Sequence, residues 1–341
     1  MTRRHFLTTS ATLAVTQSQA ATPRLKIGQI GTAHAHASGK MMSIRGLPEL
    51  WEVVGIVAPD GTQSVTYQGL PLLSEAELLA ISDVKAVAVE TRIEDSCATA
   101  ERCLAAGKHI HLDKPGSLDH AEFKAMRLDA EKRGLTVQMG YMLRYNPAFE
   151  LLFKAVREGW LGEITEIDAA MGKLAEAGTR KQIGTLPGGG FFELAGHVAD
   201  AVVTLLGKPK EVHAFSTPTT GDGVQDNQTA VLEYAKATAV IRCNHADPFG
   251  GPRRRFSVTG TKGTFEILPL ESGRVNLSLS QALGIYKKGT QSITLDVPKD
   301  RYVGEFMDLA KIVRGVKKLA WDAAHDIAVH ETLLRGAGVW H

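Results

Sequence analysis

Three side chains of this 341-residue sequence have types and settings suited to proton chemistry on a small molecule: Lys114, Glu193 and His197. Lys114 stands in Asp113-Lys114-Pro115, at the end of the strand-like run HIHLD. Proline disfavours a helical residue before it, so Lys114 is predicted to stay aimed along the carboxyl edge of that strand, where open α/β sheets bind ligands. Glu193 and His197 lie four apart in GGGFFELAGHVAD, and on a helix that separation puts both on one face. An imidazole titrates near neutral pH and suits a base that exchanges a proton with a hydroxyl. The plainer readings are a surface lysine, a helix-dipole partner for Glu193 and a packed core histidine for His197. The glycine run before His197 and the second polar group at Lys114 favour chemistry over those.

A second constellation is the turn Gly31-Thr32-Ala33-His34-Ala35-His36, which follows the apolar run LKIGQIG and precedes a helix. In that setting, backbone N–H groups at a helix start can cradle a pyrophosphate. Only the first glycine of Gly-x-Gly-x-x-Gly is present; Ala33 is small enough for close approach, whereas His36 replaces a glycine that normally lets helix and strand pack closely. After the second strand stands Asp60, two residues late for a ribose-binding acid, and no arginine follows closely to hold a 2′-phosphate, so the turn favours NAD over NADP. Two His-x-His pairs, His34/His36 and His109/His111, raise metal binding, since residues two apart on a strand share a face. A metal-dependent barrel hydrolase would need eight βα units and later ligands, and the chain does not continue that way, so no catalytic metal is expected.

The elements that must carry these groups can be read from the hydrophobic pattern. Strand runs at 25–31, 51–57, 86–89, 109–113 and 135–140 are spaced by helical stretches, one opened by a capping box at Ser74 and Glu77. That alternation predicts a parallel, doubly wound sheet. After Tyr141 the texture changes to a helix (PAFELLFKAVREG) and strand-like runs at 164–171, 211–216, 230–234, 239–244, 256–259, 264–268 and 292–295, with helices at 303–314 and 323–335. The expected class is α/β, an N-terminal Rossmann-type parallel sheet followed by an α+β domain with a largely antiparallel, open-faced sheet. Domain boundaries are expected at 1–20, 21–140 and 141–341. Arg253-Arg254-Arg255 reads as a solvated strand edge before it reads as an anion site.

Residues 1–20 contain Arg3-Arg4, an apolar stretch from Phe6 to Val15 and a small-x-small end at Ser18-Gln19-Ala20, the order of a twin-arginine export signal. The expectation is an exported, extracytoplasmic protein with no membrane attachment after signal removal. A chain exported already folded also suits a tightly held cofactor. Formal net charge is +2, and without the two signal arginines it is zero, which excludes charge-driven binding to nucleic acid. Three cysteines (97, 103, 243) show no metal-ligand spacing and read as small buried residues.

AAGKHIHLDKP resembles the AGKHV-x-x-EKP signature of the Gfo/Idh/MocA family, and GGGFFELAGHVAD resembles that family's GGG-x-x-x-D-x-x-x-H-x-x-D. RRRFSVTGTKGTFEI and HDIAVHETLLRGAG add weaker matches, while ETRIEDS departs from the family's T-P-x-x-x-H. The resemblance implies oxidation of a CHOH group on a sugar, polyol or related carbohydrate, with hydride passing to NAD(P). It implies that Lys114 and His197 jointly contact the reacting hydroxyl and that Glu193, standing where the family has Asp, holds an adjacent hydroxyl or orients His197. It further implies cofactor contacts from Gly31, Thr32, Ala33, His34, Asp60, Thr91, Lys114 and Asn146, substrate contacts from Tyr141 and Arg144, and homo-oligomers paired through the open sheet. Two rivals keep the fold: an NAD-dependent glycosidase that oxidises, eliminates, hydrates and reduces again, and a non-catalytic sugar- and dinucleotide-binding protein.

Overall fold

The computed structural model describes residues 22–59, 61–62 and 64–340. The export-signal reading (1–20) and Asp60 therefore fall outside the described residues.

The first half alternates strand and helix as β1 (Leu25–Ile30), α1 (Ala37–Arg45), β2 (Trp51–Val57), α2 (Glu75–Ala80), β3 (Val84–Val89), α3 (Ile93–Ala105), β4 (His109–Leu112), α4 (His120–Lys132) and β5 (Val137–Met139). The five strands form one sheet in the order β2-β1-β3-β4-β5, parallel throughout. Their near-continuous apolar sequences fit burial on both faces. Leu78, Cys97, Leu104, Phe123 and Met126 from α2, α3 and α4 pack one face, and Ile44 of α1 packs the other. The capping box is formed: Glu77 N–H donates to Ser74 Oγ at 3.2 Å and Ser74 N–H to Glu77 Oε2 at 2.7 Å.

The chain then continues as α5 (Pro147–Arg157), β6 (Ile164–Gly172), α6 (Ala177–Ile183), α7 (Gly190–Leu194), α8 (Gly196–Leu206), β7 (Glu211–Thr217), β8 (Asn227–Glu233), β9 (Thr238–Asn244), β10 (Arg255–Gly260), β11 (Gly263–Ile267), β12 (Arg274–Leu279), β13 (Gly289–Thr294), α9 (Val303–Val313) and α10 (Ala323–Gly336). Eight strands make a second sheet ordered β13-β12-β11-β10-β6-β9-β8-β7, antiparallel except for the parallel pair β6 and β9. One face packs against α5, α7, α8 and α10 through Phe149, Phe191, Phe192, Phe256 and Phe265. Each such fully buried phenylalanine contributes about 1.5–3 kcal/mol of transfer free energy. The other face carries Asp168 bridged to Arg242 and Arg255, and is open in the single chain.

Three details differ from the sequence expectation. Strand β12 went unread, because its alternation RVNLSL is short and follows the turn residues Glu271-Ser272-Gly273. Helix α9 leaves the second half and lays Phe306, Leu309 and Ala310 on the first sheet beside α1. The helix expected to carry Glu193 and His197 together is interrupted at Ala195, so the two residues belong to α7 and α8 and do not share one continuous face. Arg253, Arg254 and Arg255 each pair with a carboxylate, Asp247, Glu271 and Asp168 respectively. All three cysteines are buried and unpaired.

Candidate active site at the carboxyl edge of the parallel sheet

At the edge where β1, β3 and β4 end, Gly31 adopts φ +90°, and a Cβ there would sit 2.6 Å from Thr91 N and 2.7 Å from Glu90 O. Only glycine fits this crossing, which leaves a narrow cradle of main chain between Gly31 and Thr91. Thr32, Ala33 and His34 line a cleft of about 320 Å³ with Ser38, Gly61, Ser64 and Tyr67. His36, in place of the third glycine, is accommodated because its ring turns toward Asp113 (Nδ1 to Oδ2, 3.1 Å) and Tyr302 (centroids 5.7 Å apart) instead of wedging between helix and strand. The site therefore fits a dinucleotide at its first glycine while departing from the usual pattern at its third.

Lys114 follows β4, joined to Pro115 by a cis peptide bond, and its Nζ donates to the Glu193 carbonyl at 2.7 Å. That contact ties the parallel sheet to α7. His197, at the start of α8, is buried beneath Tyr141, their rings edge to face at 6.1 Å, and its Nδ1 has no hydrogen-bond partner. Burial, then the charges of Lys114 and His36, hold its pKa well below the ordinary imidazole value. His197 is thus neutral near pH 7, the form that accepts a proton.

The Glu193 side chain goes elsewhere than expected. Its Oε1 meets Lys173 Nζ at 3.1 Å and its Oε2 meets His245 Nε2 at 3.1 Å. Burial alone would raise its pKa, but the His245 hydrogen bond and the charges of Lys114 and Lys173 outweigh this and hold it well below the usual carboxylate range. Gly190 is required for this arrangement, since a Cβ there would lie 2.4 Å from His245 Nδ1. Sequence reasoning missed Lys173 and His245. They follow the paired residues Gly172 and Asn244 at the ends of β6 and β9, and only the parallel pairing of those strands brings them together.

Tyr141, Arg144 and Asn146 are separated by the structure. Tyr141 is buried in the site beside His197. Arg144 is corrected from a substrate contact to a buried ion-pair group: its Nη2 lies 2.7 Å from Asp200 Oδ1 and 2.7 Å from Asp326 Oδ1, and its guanidinium stacks over Trp321. Asn146 caps α5 by accepting the Ala148 N–H at 2.9 Å, and lines a separate cleft of about 300 Å³ with Met142, Pro298, Arg301 and Met307 rather than the Gly31 cleft. Thr91 stays at the Gly31 crossing, its Oγ1 3.3 Å from Ser96 Oγ.

The fold and this edge define a two-part α/β protein with a dinucleotide-type turn and a lysine–histidine pair. Residues 25–141 match the family model described as oxidoreductase family, NAD-binding Rossmann fold, and residues 149–266 match the GFO/IDH/MocA C-terminal domain. The chain belongs to the Gfo/Idh/MocA family of NAD-binding oxidoreductases. It is 29% identical over 221 residues to the uncharacterized oxidoreductase YhhX of Escherichia coli, covering 63% of each chain. It is 28% identical over 198 residues to trans-1,2-dihydrobenzene-1,2-diol dehydrogenase of Bos taurus, covering 57% of this chain and 58% of that one. These matches span about three fifths of each relative's length. GenD2 from gentamicin A biosynthesis, solved in complex with NAD, shares the fold with TM-score 0.77 at 21% identity, over 95% of this chain and 97% of that one.

Proposed function

We propose that the protein oxidises or reduces a CHOH group of a sugar, polyol or related carbohydrate with NAD, preferred over NADP, held tightly at the Gly31 turn. The observation that carries this reading is a buried His197 held neutral by burial and by the nearby charge of Lys114, whose Nζ is anchored on the Glu193 carbonyl at the carboxyl edge of the parallel sheet. When bound, the nicotinamide supplies the hydride acceptor or donor. His197 takes the hydroxyl proton at a ring nitrogen, which its lowered pKa leaves unprotonated near neutrality. Lys114 spends one donor on the Glu193 carbonyl, which fixes its direction, and has two further protons to orient the substrate oxygen. Glu193, made anionic and immobile by Lys173 and His245, offers acceptors to a neighbouring hydroxyl on the substrate. Tyr141, itself buried, packs edge to face against His197.

The test is the native protein's mass and near-ultraviolet spectrum, followed by a panel of sugars, polyols and glycosides. Bound NAD that becomes reduced on adding one of them is expected; protein that takes up neither dinucleotide ends the proposal. Two further readings, on export and on pairing of copies, belong to the same proposal. The segment 1–20 directs twin-arginine export, checked by replacing Arg3 and Arg4 with lysine and following the mature protein outside the cytoplasm. The open sheet face, with Phe215 exposed beside β7's polar residues, pairs two copies, checked by light scattering.

A further inference from the structure

Between the glycine turn and the Lys114 corner, side chains that the proton chemistry does not use bring ligand atoms together. His34 Nδ1 and His36 Nδ1 lie 2.9 and 3.1 Å from Asp113 Oδ2, and the three atoms are all within 4.8 Å of one another. We propose that His34, His36 and Asp113 bind one divalent transition-metal ion of the zinc type, with Glu90 as the adjoining carboxylate.

Two imidazole nitrogens and a carboxylate oxygen are a donor set that suits zinc and its neighbours, with positions left open for a further ligand. Zinc–ligand distances of about 2.0–2.2 Å in a tetrahedral shell set the ligand atoms about 3.3–3.5 Å apart. The two histidine–Asp113 distances need to lengthen by only a few tenths of an ångström.

The local hydrogen bonding also favours a cation. Asp113 Oδ2 has three nitrogens within 3.1 Å, from His34, His36 and Lys40, more than the roughly two lone pairs per carboxylate oxygen can serve. His34 Nδ1 accepts the His36 N–H at 3.3 Å, a hydrogen bond that a bound ion would replace.

Glu90 supplies an independent observation. It is wholly buried, neither carboxylate oxygen has a hydrogen-bond partner, and Oε2 lies 4.0 Å from His34 Nδ1. Lys40 Nζ stands 3.5 Å from Glu90 and 3.0 Å from Asp113, and a third buried carboxyl, Glu305 of α9, lies 3.6 Å from His111. The second three-ligand group in the described residues, Asp200, His325 and Asp326, has two guanidinium groups, Arg144 and Arg127, paired with its two carboxylates. The His109/His111 pair is likewise spoken for: His109 Nδ1 accepts the Thr136 N–H, and His111 lies 2.8 Å from Lys40 Nζ and 2.9 Å from Gln138.

The ligands lie beside Lys114 and the Gly31 cleft, so the test is made on the full chain without dinucleotide and reads metal binding directly. Chelator-stripped protein is titrated with zinc by calorimetry and with cobalt(II) by visible spectroscopy. One equivalent of zinc is expected, with a cobalt spectrum of a nitrogen–oxygen site. The double variant His34→Ala/His36→Ala should keep its melting temperature and bind zinc at least 100-fold more weakly. Should that variant not fold, His36→Gln alone should weaken zinc at least tenfold. No uptake by the wild type, undiminished affinity in the variants, or a thiolate-to-cobalt band pointing to cysteine overturns the proposal. Loss of NAD binding with zinc binding intact would instead sink the dehydrogenase reading and leave this one standing.

Discussion

Around Arg144, two guanidinium groups meet two carboxylates: Arg144 bridges Asp200 and Asp326, Arg127 holds Asp326 at 2.7 Å, and His325 adds a contact to Asp200 at 2.9 Å. Around Asp113, the Lys40 ammonium stands among three carboxyl groups and three histidines. Both clusters are buried and both touch the seam between the two sheets, yet they differ in balance. The first cancels its charges and joins the loop after β5 to α4, α8 and α10. The second leaves Glu90 without hydrogen bonds and crowds Asp113. Paired buried charges mark a structural joint, whereas a wholly buried carboxyl with neither oxygen hydrogen-bonded asks for a ligand.

The sharpest break of this comparison removes the chemistry while sparing the joint. Lys114→Ala and His197→Ala should each lower kcat/KM by about 10²–10⁴-fold, the range for a lost acid–base group, with an unchanged melting temperature. A variant that unfolds instead would make these residues part of the joint. Arg144→Met tests the opposite side. Stranding Asp200 and Asp326 should cost about 3–5 kcal/mol in urea unfolding, as for breaking a buried pair. Stability retained with a raised KM would return Arg144 to the substrate.

His245→Ala lies between the two. It releases one of the two grips on Glu193, and because Glu193 is partly exposed the effect should be a KM raised about tenfold with kcat little altered, from the weaker end of charged hydrogen bonds. Loss of kcat alone would place His245 with the reacting groups. The last effect is in pH. Burial lowers His330 to about 4 from an ordinary 6.5, where its Nε2 meets the Ser117 carbonyl at 3.0 Å. Below pH 6.5 the unfolded chain binds a proton that native His330 refuses, so stability falls as pH drops toward about 4, by about 1.4 kcal/mol per pH unit. His330→Gln should flatten that slope in urea melts at a series of pH values; an unchanged slope would assign it to other groups.

Much of the frame was legible because it rests on local rules. The run LKIGQIG, the Ser74 and Glu77 box and the Asn146-Pro147 helix start all act within a few residues, and each forms as its residue types dictate. The lysine before Pro115 and the histidine after the glycine run were legible for the same reason. The roles of their neighbours were not. Arg144 looks the same in sequence whether it faces a ligand or two aspartates that are 56 and 182 residues away.

The sequence by itself determined the alternation of elements, the turn at Gly31 and the identities of the groups that meet at the carboxyl edge, since period, capping and turn chemistry are properties of neighbouring residues. Tertiary structure alone decided which charges cancel. Glu193 reaches Lys173 and His245 because β6 and β9 run parallel, and His34 and His36 meet Asp113 because β1 and β4 end at the same edge. Coulombic and hydrogen-bond partners are set by distance through space, and no spacing along the chain encodes that distance.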